Sequence, residues 1–112
     1  MTDNGYTLNP FLLKAMTETE FQTKVITYAH WHHWLVTHFR PAQTGRGYRT
    51  PLEGDAGFLD LVLARNGVVI IAELKREGGK PTPEQTRWMT AIGARARLWR
   101  PSDWPAIEKE LA

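Results

Sequence analysis

The chain has no cysteine. That absence excludes disulfides, thiolate-ligated zinc and a cysteine nucleophile. It also has no apolar run near the roughly 20 residues needed to span a bilayer. Residues 1–16 contain Asp3, Asn4, Asn9 and Pro10 but not the basic opening of a signal peptide. The expectation is an intracellular, cytoplasmic protein with no membrane partner. No internal repeat or low-complexity tract is visible. A length of 112 residues allows one modest core and not two.

Excess charge is small but unevenly placed. The net charge is +2, yet eleven of the fourteen Lys and Arg lie between Arg40 and Arg100, against six acids. That surplus of five is mostly arginine, which suits bidentate contact with phosphate better than lysine does. A solvated basic face is the plainer reading of the same pattern.

The most informative stretch is a pair of short runs rich in branched residues, 58–64 and 68–74, joined by Asn66-Gly67. Asn-Gly between two such runs is the strongest short-range hairpin signal. With a two-residue loop Arg65 pairs with Val68 and, counting back, Asp60 faces Glu73. Strand alternation then puts Phe58, Asp60 and Val62 on one face with Ile71, Glu73 and Lys75. Two carboxylates about 4 Å apart repel by about 4 kcal/mol at an effective dielectric of about 20. Lys75 offsets part of this, and a divalent cation would offset more. Oxygen ligands alone favour Mg²⁺ or Mn²⁺ over zinc. The alternative is a buried Asp–Lys–Glu network that only fixes the fold. An odd-length loop or a bulge would separate the carboxylates.

Around this hairpin the pattern predicts one domain over 17–112 after a loosely held lead-in over 1–16, with Phe11, Leu12 and Leu13 available to dock. Thr17 and Glu20 form a capping box at the start of a helix over about 17–32. Trp34 to Phe39 alternates as a strand, with Trp34, Val36 and His38 on one face. The long Gly- and Pro-rich stretch from 40 to 57 carries Arg40, Arg46, Tyr48 and Arg49, suited to backbone phosphates and a stacked base. Thr82-Pro83-Glu84-Gln85 opens a second helix, with Trp88, Met89 and Ile92 as its apolar stripe and Gly93 at its end. A strand over 95–100 and a last helix capped by Ser102 or Asp103 complete the order α-β-β-β-α-β-α, an α/β fold with a mixed sheet. The segment 68–100 is expected to be a right-handed parallel crossover. His30, His32 and His33 look like a metal cluster, but a helix C-terminus favours such residues electrostatically, and zinc is not expected there.

An Asp on one strand followed by Glu-x-Lys on the next is the active-site pattern of the PD-(D/E)XK nucleases. From about residue 17 to 111 the chain resembles their VRR-NUC (virus-type replication-repair nuclease) branch. The matching stretches are 18–22, 34–38, 57–61, 72–75, 79–85 and 99–103. One departure is Leu59, where the family has proline before the metal-binding Asp. The resemblance implies a restriction-endonuclease-like fold and Mg²⁺- or Mn²⁺-dependent hydrolysis of DNA. Asp60, Glu73 and the Leu74 carbonyl would hold the ion, with Glu18, rather than Glu20, completing the site. Lys75 would orient the attacking water, and Gln85 matches a recurrent glutamine near the reaction centre, although it also closes a capping box on Thr82. His38, Arg40, Arg46, Tyr48, Arg49, Arg76 and Lys80 are the candidate DNA contacts. Small stand-alone members resemble homodimers that cut branched DNA such as Holliday junctions, and suggest a phage or prophage origin. A nickase, a nuclease of flaps or plain duplex, an RNA-directed nuclease and a non-catalytic DNA-binding module remain alternatives.

Overall fold

The computed structural model describes residues 9–39 and 53–112, together with the backbone of 42–44 and 47–49. The chain begins with a short helix, α1 (Pro10–Ala15), started by the Asn9 side chain, which accepts the Phe11 and Leu12 N–H groups. Pro10 at the first helical position has its φ preset for this and no N–H to lose. The expected lead-in is therefore partly helical. Of its three apolar residues only Leu13 is buried, and Phe11 and Leu12 are exposed.

Helix α2 (Glu18–Trp31) opens on the expected capping box. Thr17 Oγ1 accepts the Glu20 N–H at 3.0 Å, and the Glu20 carboxylate accepts the Thr17 N–H at 2.8 Å. Its buried residues Phe21, Val25 and Ala29 recur every four positions and so form one stripe. Strand β1 (Leu35–His38) follows. The long loop expected after it carries a small ribbon, β2 (Ala42–Thr44) antiparallel to β3 (Gly47–Arg49).

Next come β4 (Leu61–Arg65) and β5 (Val68–Leu74), joined by Asn66 and Gly67 at φ 51° and 80°. Both loop residues at positive φ is the signature of a type I′ turn, which Asn-Gly adopts with little strain. The first strand of the hairpin starts at Leu61, three residues later than the apolar run suggests. Helix α3 (Pro83–Ile92) opens on a second capping box, with Thr82 Oγ1 accepting the Gln85 N–H and Gln85 Oε1 accepting the Thr82 N–H. It ends at Gly93, φ 75°, where a 3-10 turn replaces the first residues of the expected strand. Strand β6 (Ala96–Trp99) and helix α4 (Trp104–Leu111) close the chain. Asp103 is the N-cap residue of α4, one of the two expected, but its side chain makes no capping hydrogen bond to that helix. A 3-10 turn over 101–103 leads into it, and the Asp103 carboxylate instead accepts the Arg100 N–H.

The four main strands form one mixed sheet in the order β1-β4-β5-β6, antiparallel except for the parallel β5–β6 pair. Apart from α1 and the β2–β3 ribbon the order is α-β-β-β-α-β-α, as expected. Helices α2 and α4 cover one face, where Phe21, Val25, Trp104, Ile107 and Leu111 meet Leu61, Leu63, Ile70, Ala72 and Leu74. Each such side chain contributes roughly 1.5–3 kcal/mol by leaving water. Arg65 ties the end of β4 to this layer. Its guanidinium lies over the Trp34 ring at 4.4 Å and donates to the carbonyls of His32, Leu111 and Ala112. Helix α3 buries none of its residues in that core and meets the other face of the sheet through Trp88, whose ring stands edge-on to Phe58. No helix among the described residues is long and apolar enough to cross a membrane.

Candidate metal centre

The turn decides the site. With Arg65 opposite Val68, the ladder runs back to Leu61 opposite Ala72 without a bulge, and Asp60 and Glu73 are the next residues beyond its end, close enough for the Asp60 charge to act on Glu73. On its other side Asp60 extends the pairing with β1, its carbonyl accepting the Phe39 N–H at 2.9 Å. The Asp60 side chain turns towards β5, and its Oδ2 accepts the Leu74 N–H at 2.9 Å. A carboxylate thereby takes up a main-chain donor at the end of the ladder and is held beside Glu73. Upstream, Gly57 has φ 85°, and a Cβ there would come within 2.4 Å of Glu84 Cβ. Only glycine lets the approach to Asp60 run this close against the first turn of α3.

Glu73 is the one wholly buried charged residue among the described residues. Lys75, two residues on and on the same face, places Nζ 2.9 Å from Glu73 Oε2. Lys75 is thus the counter-ion of that oxygen, while Glu73 Oε1 has no hydrogen-bond donor among the described residues. Burial pushes the Glu73 carboxyl up to about 7. The charges of Asp60 and Glu18 push the same way, against the pull of Lys75. A buried carboxylate with unsatisfied oxygens is costly unless it is protonated or met by a cation.

The influence of Glu18 on Glu73 separates the two glutamates at the start of α2. Glu18 acts on the buried carboxylate, whereas Glu20 is occupied in the capping box, and the Thr17 N–H and hydroxyl hold its carboxyl below the ordinary range. Among the described residues no three carboxylates or imidazoles converge closely enough to enclose an ion by themselves. Mg²⁺ is generally held by one or two carboxylates together with waters and substrate phosphate, and Asp60 and Glu73 are the candidate pair.

Lys75 is anchored through its own N–H, which donates to the Trp99 carbonyl at 3.0 Å. The turn after it is tied to the segment following β6. Arg100 Nε and Nη2 donate to the Gly79 carbonyl at 2.9 and 2.7 Å, and Glu77 Oε1 accepts the Ser102 N–H. Arg76 and Lys80 stand exposed on that tethered turn. Gln85 lies in the first turn of α3 with its Oε1 already committed to Thr82. His38 pairs with Leu61, a residue of the helix-covered face, and is half-buried on that side. Its neighbour Phe39 is the β1-side residue opposite Asp60, which the sequence reading passed over. Pairing β1 with β4 in antiparallel order would have found it. Arg40 and Arg46 lie outside the described residues, and Tyr48 and Arg49 are described in backbone alone. The His32 ring packs tilted against Tyr28, centroids 4.5 Å apart, and His32 closes α2.

No family model, curated protein or solved structure matches the chain.

Proposed function

We propose that the protein is a Mg²⁺- or Mn²⁺-dependent endodeoxyribonuclease acting on branched or otherwise structured DNA. The observation that carries this reading is the neighbouring pair Asp60 and Glu73, with Glu73 wholly buried and Lys75 as its counter-ion. Lys75 meets one carboxylate oxygen, and the other, Oε1, has no donor among the described residues and suits a ligand that arrives from solution. When bound, the ion would supply an activated water and a counter-charge for the phosphate.

The chain's own groups have separable duties. Asp60 and Glu73, with the Leu74 carbonyl, would hold the ion, and Glu18 bears on the charge of Glu73. The Leu74 N–H keeps the Asp60 carboxylate aimed along the sheet end. With Glu73 engaged on an ion, the Lys75 ammonium would be available to orient a water or meet a phosphate oxygen. Arg76 and Lys80, on the turn tethered by Arg100, are placed to take the DNA backbone beside it. A homodimer would bring two such centres to the two sides of a junction.

A cleavage panel of junction, flap, nicked duplex and single strand, run with Mg²⁺, Mn²⁺ or EDTA, tests the reading. Cutting should require the divalent ion. Asp60→Asn should abolish it, and Lys75→Ala should slow it on the order of 10²–10³-fold. Binding without metal-dependent cutting of any substrate would leave only a DNA-binding module. Unchanged cutting by Asp60→Asn would remove the site assignment.

A further inference from the structure

Phe39 directly follows β1, and its N–H bond to the Asp60 carbonyl sets it opposite the first carboxylate. Cα atoms facing each other across an antiparallel pair are about 4.5–5.5 Å apart. Alternation from Leu35 and Thr37 carries the Phe39 side chain to the face of Asp60 and Glu73. The ring is 48% exposed. Isolated exposed apolar residues are ordinary, but this one is braced. It meets Phe58 at 5.5 Å and an interplanar angle of 82°, and Phe58 meets Trp88 at 4.9 Å and the same angle. Trp88 is fixed in turn by its Nε1–H bond to the Ala56 carbonyl at 2.9 Å. Two further rings and a hydrogen bond thus brace an aromatic side chain across the ladder from the candidate metal ligand. An edge-on neighbour occupies at most one broad face of the ring.

We propose that Phe39 is a stacking platform for a DNA base that has left its helix, next to the phosphate to be cut. The inference rests on the nuclease reading above and deepens it, since it names the feature of the substrate that the site selects. Every base has a flat face, so a fixed aromatic ring accepts any of them without reading sequence. A base within continuous duplex is already covered on both faces by its neighbours and cannot use the ring. A base at a bulge, flap or branch point can. Structure selectivity then arises at the catalytic centre itself, from one residue, and needs no second copy of the chain.

The test compares three substrates of one sequence: continuous duplex, the same duplex with a single unpaired 2-aminopurine, and single strand. Binding is read in EDTA as quenching of the 2-aminopurine, and cleavage in Mn²⁺ as the ratio of rates on unpaired and continuous substrates. Wild type and Phe39→Trp should quench the probe and prefer the unpaired substrate. Phe39→Ala and Phe39→Leu should lose the quench, and their preference ratio should fall on the order of ten-fold or more. Asp60→Asn should keep the quench while cutting nothing. Retained quench and preference in Phe39→Leu would overturn the platform, as would an equal loss on all three substrates, the mark of a merely structural role. If Phe39→Ala fails to fold by circular dichroism, Phe39→Leu, which keeps apolar contact with Phe58, carries the comparison. A wild type that neither binds nor cuts any of the three would bring down the nuclease reading and the platform with it. A wild type that cuts while folded Phe39→Leu behaves identically removes the platform alone.

Discussion

Under α2 and α4 the central hairpin shows only carbon: Leu61 and Leu63 from β4, and Ile70, Ala72 and Leu74 from β5, all buried. One residue out of step, the opposite face of the same two strands carries Val62, Ile71, Asp60 and the buried charge of Glu73. The two faces share a backbone, a turn and a register, and differ in what they do with burial. On the helix face burial removes apolar surface from water and stabilises the fold. On the other face it strips water from a carboxylate, raises its proton affinity and leaves it in want of a cation. A fold of this size can carry such a group because the helix face supplies the stability.

Substitutions on the two faces should therefore move stability in opposite directions. Leu63→Ala, in the middle of the helix face, should cost about 2–5 kcal/mol in urea unfolding, since its neighbours come from both helices and can only partly close the void. A loss under about 1 kcal/mol would mean that this face is not the core of the fold. Glu73→Gln should act the other way. The folded carboxyl, at about 7, lies above its ordinary value of 4.5. The folded state therefore binds the extra proton between those values, and stability falls as pH rises through that window and stays low above it. Without metal, wild type should lose on the order of 1–3 kcal/mol relative to Glu73→Gln between about pH 4 and about pH 8. Mn²⁺ added at the higher pH should raise the Tm of wild type far more than that of the variant. Parallel pH profiles of the two proteins would show that Glu73 is not the strained group of the outer face.

The smallest effect separates cap from chemistry at α3, on the side of the outer face. Thr82→Ala removes the hydroxyl that accepts the Gln85 N–H and should cost about 1 kcal/mol. Gln85→Ala removes the other half of the same box. At matched stability Gln85→Ala should cut more slowly than Thr82→Ala, and equal rates would make Gln85 a cap alone.

Local rules that depend on a few adjacent residues were readable from the chain. The Asn66-Gly67 turn set a two-residue loop, and the loop set which carboxylate faces which. Both capping boxes placed the starts of α2 and α3 to within a residue. Other features were less legible. Asn9 and Pro10 carry the signals that start α1, but six residues make too short an apolar pattern to be told from a lead-in. The apolar run before β4 reads as strand from Phe58, yet Gly57 to Asp60 must bend around α3, a demand that arises only when α3 is in place.

The sequence by itself pointed to Asp60 and Glu73 sharing a face with Lys75, because turn chemistry and a period of two are local, and the bulge-free ladder from Arg65–Val68 to Leu61–Ala72 keeps that register. Tertiary structure alone decided that Glu73 is sealed from water, that the charge of Glu18 reaches it, and that Phe39 stands braced beside Asp60. Those facts depend on which distant segments pack against the hairpin. Burial, proton affinity and the rigidity of an exposed ring are properties of an assembled surface, and no single segment carries them.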